Sequence, residues 1–584
     1  MKKYLFNNFI FLLFILLVNN VYGNVNSTTN ERTKAFIQVW GLIKYKSING
    51  AQGKFNADSI FLALVSNVKA ADENQFSALI ATLLKENLGR PEVSKIKVNS
   101  ESLLTKNIDY SWINNRIFTG IIQKQLAALT KTYNSGSTHY FIPNIAYEGE
   151  LPHENAYPNY AFDNEAMNLL ALAKAWNAIA YLFPYRYVMD QKWKLTLQKL
   201  IPVFSAIKSR AAYEKSILLL ESAIDDTHAS GFLNQVKGLS EIFNLKYYPS
   251  FAYKIYQNKI VVTEFLTDSL AKASHLKTGD LIVSINGIKT KEWLKQRSAL
   301  LPASNQSVKN RLLADNDAFA FSAIDNSTLN VRVKREDNYL NVQVVLLERK
   351  EKRAGEIVNN YFKQKSAQDH LVKGYEELPH NIALIRAGYF FDKDLPSDKE
   401  LMAFSQNLNK KKAIIFDMRK YPASPGLFYY YLPMALGKPA FKFAQYYGVD
   451  ISNAGAFVKQ DGIEVFLSKD ITTTMPLYKG KIVILTNENT QSMGEWFTMM
   501  LRQLNSNTTV IGSQTAGADG DTKHLNLPGG YEFLFTGSGI FYPNGKETQR
   551  IGIVPDLLYQ PSVKDLISAT DMHLEKALEY LKSK

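Results

Sequence analysis

The sequence predicts a multidomain α+β protein, because three stretches of the chain differ in their hydrophobic periodicity. Residues 24–244 place apolar residues three and four apart, as amphipathic helices do. Residues 245–350 form short runs of alternating apolar and polar residues, which favour β-strands. Residues 381–561 alternate apolar, strand-like runs with helical ones, the pattern of an α/β sheet with helices on its faces. The length of 584 residues indicates about three or four domains.

The first 23 residues form a separate segment. Lys2 and Lys3 precede the apolar run FIFLLFILLV, and Gly23 comes before a polar stretch. This order of charge, apolar core and small residue is typical of a secretory signal peptide with cleavage after Gly23. The alternative is an uncleaved membrane anchor, for which the run is short, since spanning a bilayer takes about 20 residues. Any membrane contact is expected only through an uncleaved signal.

The chain contains no cysteine. Disulfides, thiol catalysis, zinc–thiolate sites and a lipid-anchored N-terminal cysteine are therefore excluded. An exported protein without disulfides favours a bacterial envelope, so the predicted location is periplasmic or secreted.

The formal net charge of +14 is spread along the chain. No basic stripe with interleaved aromatic residues stands out, so a solvated basic surface is favoured over nucleic-acid binding. The histidines and carboxylates show no zinc-site spacing such as H-E-x-x-H, and we expect neither a metal nor a small-molecule cofactor.

Two helical runs within residues 24–244 resemble each other. Trp40 and Tyr45 are five residues apart, as are Trp176 and Tyr181, and another amphipathic run follows each pair at a similar distance. This pattern indicates a weak internal duplication. Tryptophan and tyrosine at this spacing are more often helix core than a ligand site, and we predict core positions for both pairs.

The β-rich segment contains SLAKASHLKTGDLIVSING, in which a short helix leads into a strand that ends at the turn Asn286–Gly287. With its flanking strands, over residues 246–348, this segment resembles a PDZ domain. The resemblance implies that an extended peptide adds as a strand to a sheet edge. The expected partner is therefore a polypeptide.

Ser492 lies between the strand-like run KIVIL and an amphipathic, helix-like run. Its hydroxyl could cap the helix, or it could be a nucleophile on a sharp strand-to-helix turn. Asp417 also follows a strand-like run, and in open α/β sheets the chemistry collects at the carboxyl ends of the strands.

One candidate family for Ser492 is the α/β hydrolases. The window TQSMG departs from their signature G-x-S-x-G only at its first position, but that family needs a histidine downstream. The histidines there are His524 and His573, and His573 is expected at a solvated surface of a C-terminal helix. The turn fits this family and the base does not.

Five segments of the third region follow one another: IALIRAGYF, AIIFDMRKYP, KIVILTNENTQSMGEWFTMML, TVIGSQTAGADG and RIGIVPD. Behind the PDZ-like segment, this succession resembles the serine peptidases of the C-terminal processing and tricorn-core family. The resemblance implies a ClpP/crotonase-like α/β peptidase core at 381–561. We expect a linker at 351–380 before this core and a C-terminal helix at 562–584 after it.

In that family the nucleophile opens an S-x-x-E tetrad, which corresponds here to Ser492–Glu495. The resemblance implies that Ser492 attacks the scissile carbonyl. The backbone N–H of Met493 would stabilise the oxyanion, with a second amide from the loop after Asp417, at Ala423. This loop, RKYPASPG, lacks the glycine pair that the family usually carries.

The resemblance also suggests the general base. Processing peptidases use a lysine downstream of the serine, where this chain has Ala516–Ala518. The tricorn-like branch takes a histidine from the end of the helical region, in a short Asp/Ser-x-His element that matches residues 226–228. His228 is therefore the expected base, and the alternative for it is a helix C-terminal cap.

A histidine base needs a partner that fixes its tautomer. In the tricorn-like branch a glutamate precedes the G-[IV]-x-P-D segment, and Gln549 is the best-aligned residue here. Glu547 is the alternative, since residues two apart on a strand face the same side. Glu547 is equally consistent with a solvated position after the hairpin turn Asn544–Gly545.

The sequence thus predicts an exported serine peptidase, either an endopeptidase or a carboxy-terminal-directed (tail-specific) protease, that cleaves polypeptides through an acyl-enzyme. The alternative is a catalytically inactive peptidase-like protein that binds peptides through its PDZ-like domain. The sequence leaves open whether the protein forms a homo-oligomer.

Overall fold

The computed structural model describes residues 29–89, 103–133, 138–143, 149–315, 317–391, 393, 397–437, 441–460 and 475–583. The predicted signal peptide lies outside these residues. None of the helices in the described ranges has the length and the apolar character that crossing a bilayer requires.

The chain divides into two compact units. The first contains residues up to 224 together with 448–459 and 523–537, and the second contains 225–447, 460–522 and 538–584. The predicted helical domain ended at 244, but residues 225–244 group with the second unit, so His228 shares a unit with Ser492. Two short segments within the predicted peptidase core group instead with the first unit.

The first unit is mainly helical, as the periodicity predicts. Side-chain caps begin its helices: Asn56 Oδ1 accepts from the Ser59 N–H at 2.9 Å, and Asp72 and Gln75 form a reciprocal capping box. The elements in chain order are α1 (29–46), α2 (Ile48–Ala51), α3 (Ala57–Ala70), α4 (Glu73–Asn87), β1 (Leu103–Leu104), α5 (Gly120–Thr130), β2 (Ile142–Pro143), β3 (Gly149–Glu150), α6 (Glu165–Leu182), α7 (Trp193–Ser205) and α8 (Arg210–Ser222).

The aromatic residues of the two similar runs lie in the core of this unit. Trp40, Tyr45, Trp176 and Tyr181 are buried, and the rings of Tyr45 and Tyr181 lie 5.2 Å apart between centroids. Tyr45 comes from α1 and Tyr181 from α6, so the two runs pack against each other. The predicted core positions are confirmed.

Residues 225–350 form an antiparallel sheet with short helices. The elements are α9 (Leu239–Ile242), β4 (Tyr247–Tyr248), β5 (Phe251–Tyr256), β6 (Lys259–Phe265), α10 (Asp268–Ala273), β7 (Leu281–Ile285), β8 (Ile288–Lys289), α11 (Thr290–Arg297), α12 (Gln306–Ala314), β9 (Thr328–Arg335), β10 (Asn338–Val345) and β11 (Leu347–Glu348). The strand order is β10-β9-β7-β6-β5, and β8 pairs with β7. The predicted turn Asn286–Gly287 joins β7 to β8, with both residues at positive φ.

The remaining residues contain a six-stranded, mostly parallel sheet, together with helices and shorter strands that belong to other sheets. The elements are α13 (Lys352–Asp369), β12 (Tyr375–Leu378), β13 (Ile382–Arg386), α14 (Asp398–Asn409), β14 (Ala413–Asp417), α15 (Leu432–Ala435), β15 (Gln445–Val449), β16 (Phe457–Gln460), β17 (Lys481–Thr486), α16 (Met493–Leu504), β18 (Thr508–Gly512), β19 (Thr522–Leu527), β20 (Tyr531–Thr536), β21 (Gly539–Phe541), β22 (Leu557–Leu558), α17 (Val563–Leu566) and α18 (Met572–Lys582). The order is β12-β13-β14-β17-β18-β22, and all pairs except β12–β13 are parallel.

Helices cover both faces of this sheet. Ala383 and Ile385 belong to a core with residues of α14 and α16, whereas Ile382 and Leu384 belong to a second core with Ala577 of α18. Strands buried on both faces read as continuous apolar runs, which is how β13, β14 and β17 were predicted. The predicted linker 351–380 differs, because it contains α13 and the edge strand β12. The sequence of β12, YEEL, contains no apolar run that would predict a strand. Strands at the edge of a sheet tolerate such polar residues.

The parallel strands β13, β14, β17 and β18 end at the same edge of the sheet. Asp417 is the last residue of β14, the loop to Ser492 follows β17, and the loop 513–520 follows β18. Loops at the carboxyl ends of parallel strands meet, and ligand sites of open α/β sheets form there. The candidate residues of the predicted peptidase core are therefore carried by this edge.

Candidate active site

Ser492 occupies a strained turn before α16. Its backbone has φ 52° and ψ −118°, an unfavourable conformation for a residue with a side chain. The Ser492 N–H donates to the Ala518 carbonyl oxygen at 3.0 Å and lies 3.3 Å from Glu495 Oε2. The Ser492 carbonyl oxygen accepts from the N–H groups of Glu495 and Trp496. Main-chain bonds thus fix the turn on both sides of the serine.

Glu495 ties this turn to residues 515–518, which we call the anchor loop. Its buried carboxylate accepts from the Gly517 N–H at 2.8 Å, the Ala518 N–H at 3.0 Å and the Thr515 hydroxyl. Burial outweighs these donors and raises the pKa of Glu495 above its usual value. Glu495, the last residue of the S-x-x-E tetrad, therefore connects the serine turn to the anchor loop through these hydrogen bonds.

Asp519 follows the anchor loop as a second buried carboxyl group. It is 3% exposed, and its Oδ1 accepts from the Gly520 N–H at 2.8 Å. Burial, reinforced by the charge of Glu495, raises the pKa of Asp519 well above its usual value. Asp519 therefore favours its neutral form beside the loop.

His228 begins a short 3₁₀ helix after α8. Thr227 is fixed by Ser304: the Thr227 N–H donates to Ser304 Oγ at 2.8 Å, and the Ser304 N–H donates to Thr227 Oγ1 at 3.0 Å. Asp226 Oδ1 accepts from the His228 N–H at 3.2 Å and lies 3.8 Å from His228 Nδ1. A buried carboxylate therefore faces the imidazole from two residues earlier in the chain.

Gln549 lies against the same carboxylate. Its Nε2 is 3.4 Å from Asp226 Oδ1, and the side chain is 1% exposed. Gln549 Oε1 is buried and has no hydrogen-bond partner among the described residues. The structure thus places Gln549 beside Asp226 of the His228 element. Its side-chain amide faces the carboxylate as a donor, whereas the predicted role required its oxygen to accept.

Glu547 was expected on one strand face with Gln549, and this expectation is wrong. Glu547 makes an isolated bridge to Phe541, whereas Gln549 lies in a turn. Glu547 is also half-buried rather than solvated. Arg550 has a positive φ and lies in the turn at residues 549–552. Because the strand ends there, residues two apart no longer have to face the same side.

The anchor loop is hydrogen-bonded to the surroundings of both Ser492 and His228. The Arg550 N–H, next to Gln549, donates to the Gly517 carbonyl oxygen at 2.7 Å. Asn305, next to Ser304, donates its Nδ2 to the carbonyl oxygens of Thr515 at 2.9 Å and Ala516 at 3.0 Å. A short series of hydrogen bonds therefore connects the His228 element to the serine turn.

The two predicted oxyanion donors differ in availability. Met493 is the first residue of α16, and among the described residues nothing accepts from its N–H, as is usual at a helix start. The Ala423 N–H already donates to the Ala387 carbonyl oxygen at 3.0 Å. Ala423 can therefore serve an oxyanion only if that bond opens.

The comparisons with known proteins bear directly on this part of the chain. Residues 445–559 match the model of peptidase family S41, a range that includes Ser492, Glu495 and Gln549 but not His228. The match over this part of the chain supports a serine-type peptidase of family S41. The predicted family resemblance and the predicted class of enzyme are thereby confirmed.

Several solved structures are similar to the chain. Mature CPAF is 12% identical and covers 72% of this chain and 96% of its own, with a TM-score of 0.50. The photosystem II D1 C-terminal processing protease is 14% identical over 70% of this chain and 99% of its own, with a TM-score of 0.34. The tricorn protease is 13% identical over 72% of this chain and 37% of its own, with a TM-score of 0.25. No curated protein matches the chain in sequence.

Two other histidines of this peptidase lie outside the arrangement described above. His573 was expected to be solvated, but it is 8% exposed, with its ring 4.6 Å from that of Tyr559. The expectation failed because α18 covers the central sheet. His524 is exposed and lies 2.9 Å from Glu532 in the first unit. Within the described residues, no three His, Cys, Asp or Glu side chains are placed to share a metal ion.

Asp417 has a structural partner. Arg419 donates to both of its carboxylate oxygens, at 2.8 and 2.7 Å, and to both oxygens of Asp571, at 2.9 and 2.6 Å. This double fork fixes the start of α18 against the end of β14. Asp417 is therefore accounted for by an ion pair.

The sequence patterns indicate no role for Asp226, Ser304 or Asn305. Asp226 stands inside the quoted Asp-Thr-His element, and a carboxylate two residues before a histidine is a usable signal, because side chains of aspartate often bond the backbone two residues on. Ser304 and Asn305 carried no such signal, since their partners lie far away in the sequence.

Proposed function

We propose that the protein hydrolyses polypeptides through an acyl-enzyme, with Ser492 as nucleophile and His228 as general base. The observation that carries the proposal is the anchor loop, which is bonded to Ser492 at Ala518 and to the neighbour of Gln549 at Gly517. A nucleophile and its base need a rigid common support, because small displacements cost catalysis heavily.

The chemistry follows the acyl-transfer pattern. His228 takes the proton of the Ser492 hydroxyl as its oxygen attacks the scissile carbonyl carbon. The tetrahedral intermediate collapses, and the leaving amine receives the proton from the imidazolium. Water, deprotonated by His228, then hydrolyses the ester and restores the free serine. Gln549, or alternatively Glu547, is the sequence-derived candidate for orienting the base.

The oxyanion is proposed to lie at the N-terminus of α16. The Met493 N–H is directed along the start of the helix, where the helix dipole favours negative charge. The loop after β14 lies beside this point, since a Cβ added at Gly494 would be 3.8 Å from Pro422 Cδ. Ala423 of that loop is the second donor in this proposal, after its bond to Ala387 opens.

The PDZ-like segment is proposed to bind the substrate as an added strand. Strand β5 lies at one end of its sheet and packs beside α12, and the proposed site for an extended peptide lies between the two. Arg311 of α12 donates to the Glu488 carbonyl oxygen at 2.8 Å and to Gln491 Oε1 at 2.9 Å. The helix beside the proposed groove thus contacts the loop that leads to Ser492.

Export to the periplasm or the exterior is part of the proposal. Its support is the charge, apolar run and small residue within the first 23 positions, and the absence of cysteine from the sequence. Mass spectrometry of the protein from cell-envelope fractions should find Asn24 at the amino terminus. An intact amino terminus at Met1 would indicate an uncleaved signal.

The test of catalysis is substitution of the two proposed residues. Ser492→Ala and His228→Ala should each lower β-casein cleavage by about 10⁴-fold or more, since loss of either partner disables the pair. Ser492→Ala should also abolish labelling by a serine-directed phosphonate. Matched controls are Ser506→Ala and His524→Ala, both at exposed positions, which should cleave at the parental rate. Casein cleavage by Ser492→Ala at the parental rate would end the proposal.

A further inference from the structure

We propose that Asp226 is the carboxylate that orients His228, and that Gln549 holds Asp226 in place. This inference rests on the proposed function, in which His228 is the base. It assigns the third member of the site to a residue two positions before the histidine, instead of to Gln549 or Glu547. In this scheme Asp226 is a positioning residue and does not touch the substrate.

The contacts of Asp226 fit this role. Its side chain is fully buried, and one oxygen, Oδ1, faces the His228 N–H at 3.2 Å, His228 Nδ1 at 3.8 Å and Gln549 Nε2 at 3.4 Å. A buried carboxylate is stable in its ionised form only when donors surround it. The His228 main chain and the Gln549 amide supply two such donors around the oxygen nearest the imidazole.

Gln549 is the weaker candidate for the acceptor because of the direction of its amide. Only Oε1 could accept from an imidazole N–H, and this atom has no partner among the described residues. Rotating the amide by half a turn would set Oε1 against Asp226 Oδ1, two acceptors facing each other. The amide is therefore held as a donor to the carboxylate.

The backbone around Asp226 directs its carboxylate back to His228. Asp225 has φ 52°, and Arg550 Nη1 lies 3.7 Å from Asp225 Oδ2. Thr227, on the other side, is bonded to Ser304 through both its main chain and its hydroxyl. With both neighbours of Asp226 fixed, a small rotation of the Asp226 or His228 side chain closes the distance of 3.8 Å between Asp226 Oδ1 and His228 Nδ1. Catalytic hydrogen bonds are often long without substrate.

The chemical consequence concerns the tautomer of His228. A carboxylate at Nδ1 places the proton on that nitrogen and leaves Nε2 free to take the proton of a serine hydroxyl. The same negative charge stabilises the imidazolium as it forms. A neutral amide would supply no such charge.

The main experiment is Asp226→Asn, read by β-casein kinetics over a range of pH. We expect kcat to fall by about 10²–10⁴-fold with little change in KM, because a carboxamide supports the wrong tautomer. We also expect the acidic limb of the kcat/KM profile to move to lower pH, since the negative charge that stabilises the imidazolium is gone. Asp337→Asn, at a fully exposed side chain, is the control and should match the parent in both measurements.

An exchange of the two groups separates positioning from folding. The double variant Asp226→Asn/Gln549→Glu returns one carboxylate and one amide to the pair, with their places swapped. It should recover at least about tenfold in kcat over Asp226→Asn alone, because the buried pair beside the base again contains one carboxylate. Gln549→Glu alone sets two carboxylates together and should lower activity. If Asp226→Asn fails to fold, Gln549→Leu, which keeps Asp226, should still shift the acidic limb.

Failure of this inference differs from failure of the proposed function. If Ser492→Ala is inactive while Asp226→Asn keeps the parental kcat and the parental pH profile, the role of Asp226 is wrong and the acyl-enzyme mechanism stands. An active Ser492→Ala variant would overturn the mechanism itself. A loss of kcat in Asp226→Asn with no movement of the acidic limb and no recovery in the exchange would make Asp226 a structural residue only.

Discussion

Three residues with positive φ lie at or beside the proposed catalytic residues: Asp225 at 52°, Ser492 at 52° and Arg550 at 66°. Each such conformation costs about 1–3 kcal/mol and persists only where the surroundings enforce it. Here the enforcement comes from hydrogen bonds to distant parts of the chain, such as Ser492 to Ala518 and Arg550 to Gly517. The sequence predicted Ser492 and His228 by their motifs, but these backbone conformations depend on partners that no local pattern contains.

His573 makes a prediction for the pH dependence of stability. Burial, followed by the charge of Arg419, lowers its pKa to about 4, below the ordinary value of 6.5. The unfolded chain therefore binds a proton between these values that the folded chain does not, so stability falls as the pH falls, by about 1.4 kcal/mol per unit. His573→Phe should unfold at a midpoint that depends less on pH between 7 and 4.5, as measured by urea denaturation.

The comparison between parent and variant is needed because other groups titrate in this window. Asp571 and Asp417 lie near His573 and are paired with Arg419 in both proteins. Equal pH dependence in the parent and in His573→Phe would show that the buried imidazole does not control acid stability.

At the scale of elements, periodicity predicted most of the secondary structure correctly. The long helices of the first unit and strands β13, β14 and β17 carry unbroken patterns, because each buries a fixed face. The elements that escaped prediction lack such a face: β12 is a polar edge strand, and residues 547–549 leave the strand at the turn before Arg550. The contact of Gln549 with Asp226 was missed for the same reason, since it depends on the path of that turn.

Gly552 lies against the anchor loop, and its substitution gives a testable prediction. It has φ 70°, and a Cβ there would lie 2.2 Å from Thr515 Oγ1 and 2.9 Å from Glu495 Oε1. Gly552→Ala should therefore displace Thr515 from Glu495, lower stability by about 1–3 kcal/mol and reduce β-casein cleavage at least tenfold. Thermal unfolding and the cleavage rate measure the two effects.

Gly545 provides the matched control. It also has positive φ, 78°, but the nearest atom to an added Cβ is Gln445 Nε2 at 3.7 Å. Gly545→Ala has the same conformational cost as Gly552→Ala but creates no clash. It should therefore lower stability slightly and leave cleavage unchanged. Equal loss of cleavage in both variants would contradict the role given to the contact with Glu495.

At the scale of the whole molecule, the sequence predicted an order of domains but not where the chain divides. The predicted boundary at 244 followed the end of the helical pattern, whereas the division at 224 follows contacts made by residues 225–244. Segments 448–459 and 523–537 belong to the first unit, and strand β16 pairs there with β1. Such long-range pairing leaves no trace in composition or period.

The first unit contains a buried charge cluster that gives a further prediction. Lys44 Nζ lies 2.6 Å from Glu154 Oε1, and Lys174 Nζ lies 3.2 Å from Glu154 Oε2 and 3.6 Å from Asp58 Oδ2. Although burial opposes it, the two lysines lower the pKa of Glu154. Glu154→Gln should destabilise this unit by about 3–5 kcal/mol, because it leaves a buried ammonium without its partner.

Tryptophan fluorescence during urea unfolding measures this effect, since Trp40, Trp112, Trp176 and Trp193 of the six tryptophans lie in the first unit. Glu86→Gln, at an exposed position of α4, is the control and should keep the parental midpoint. A parental midpoint in Glu154→Gln would mean that the cluster tolerates an uncompensated charge.

The anchor loop constrains what sequence changes this peptidase can accept. All six main-chain N–H and C=O groups of Ala516–Ala518 are hydrogen-bonded, to Thr490, Asn305, Glu495, Arg550 and Ser492. Side chains at 516 and 518 take no part in these bonds, so exchanges among small residues there leave them intact. Insertion or deletion of one residue would move every donor and acceptor out of register at once. Among related chains, the length of this loop should therefore vary far less than the identities of its residues.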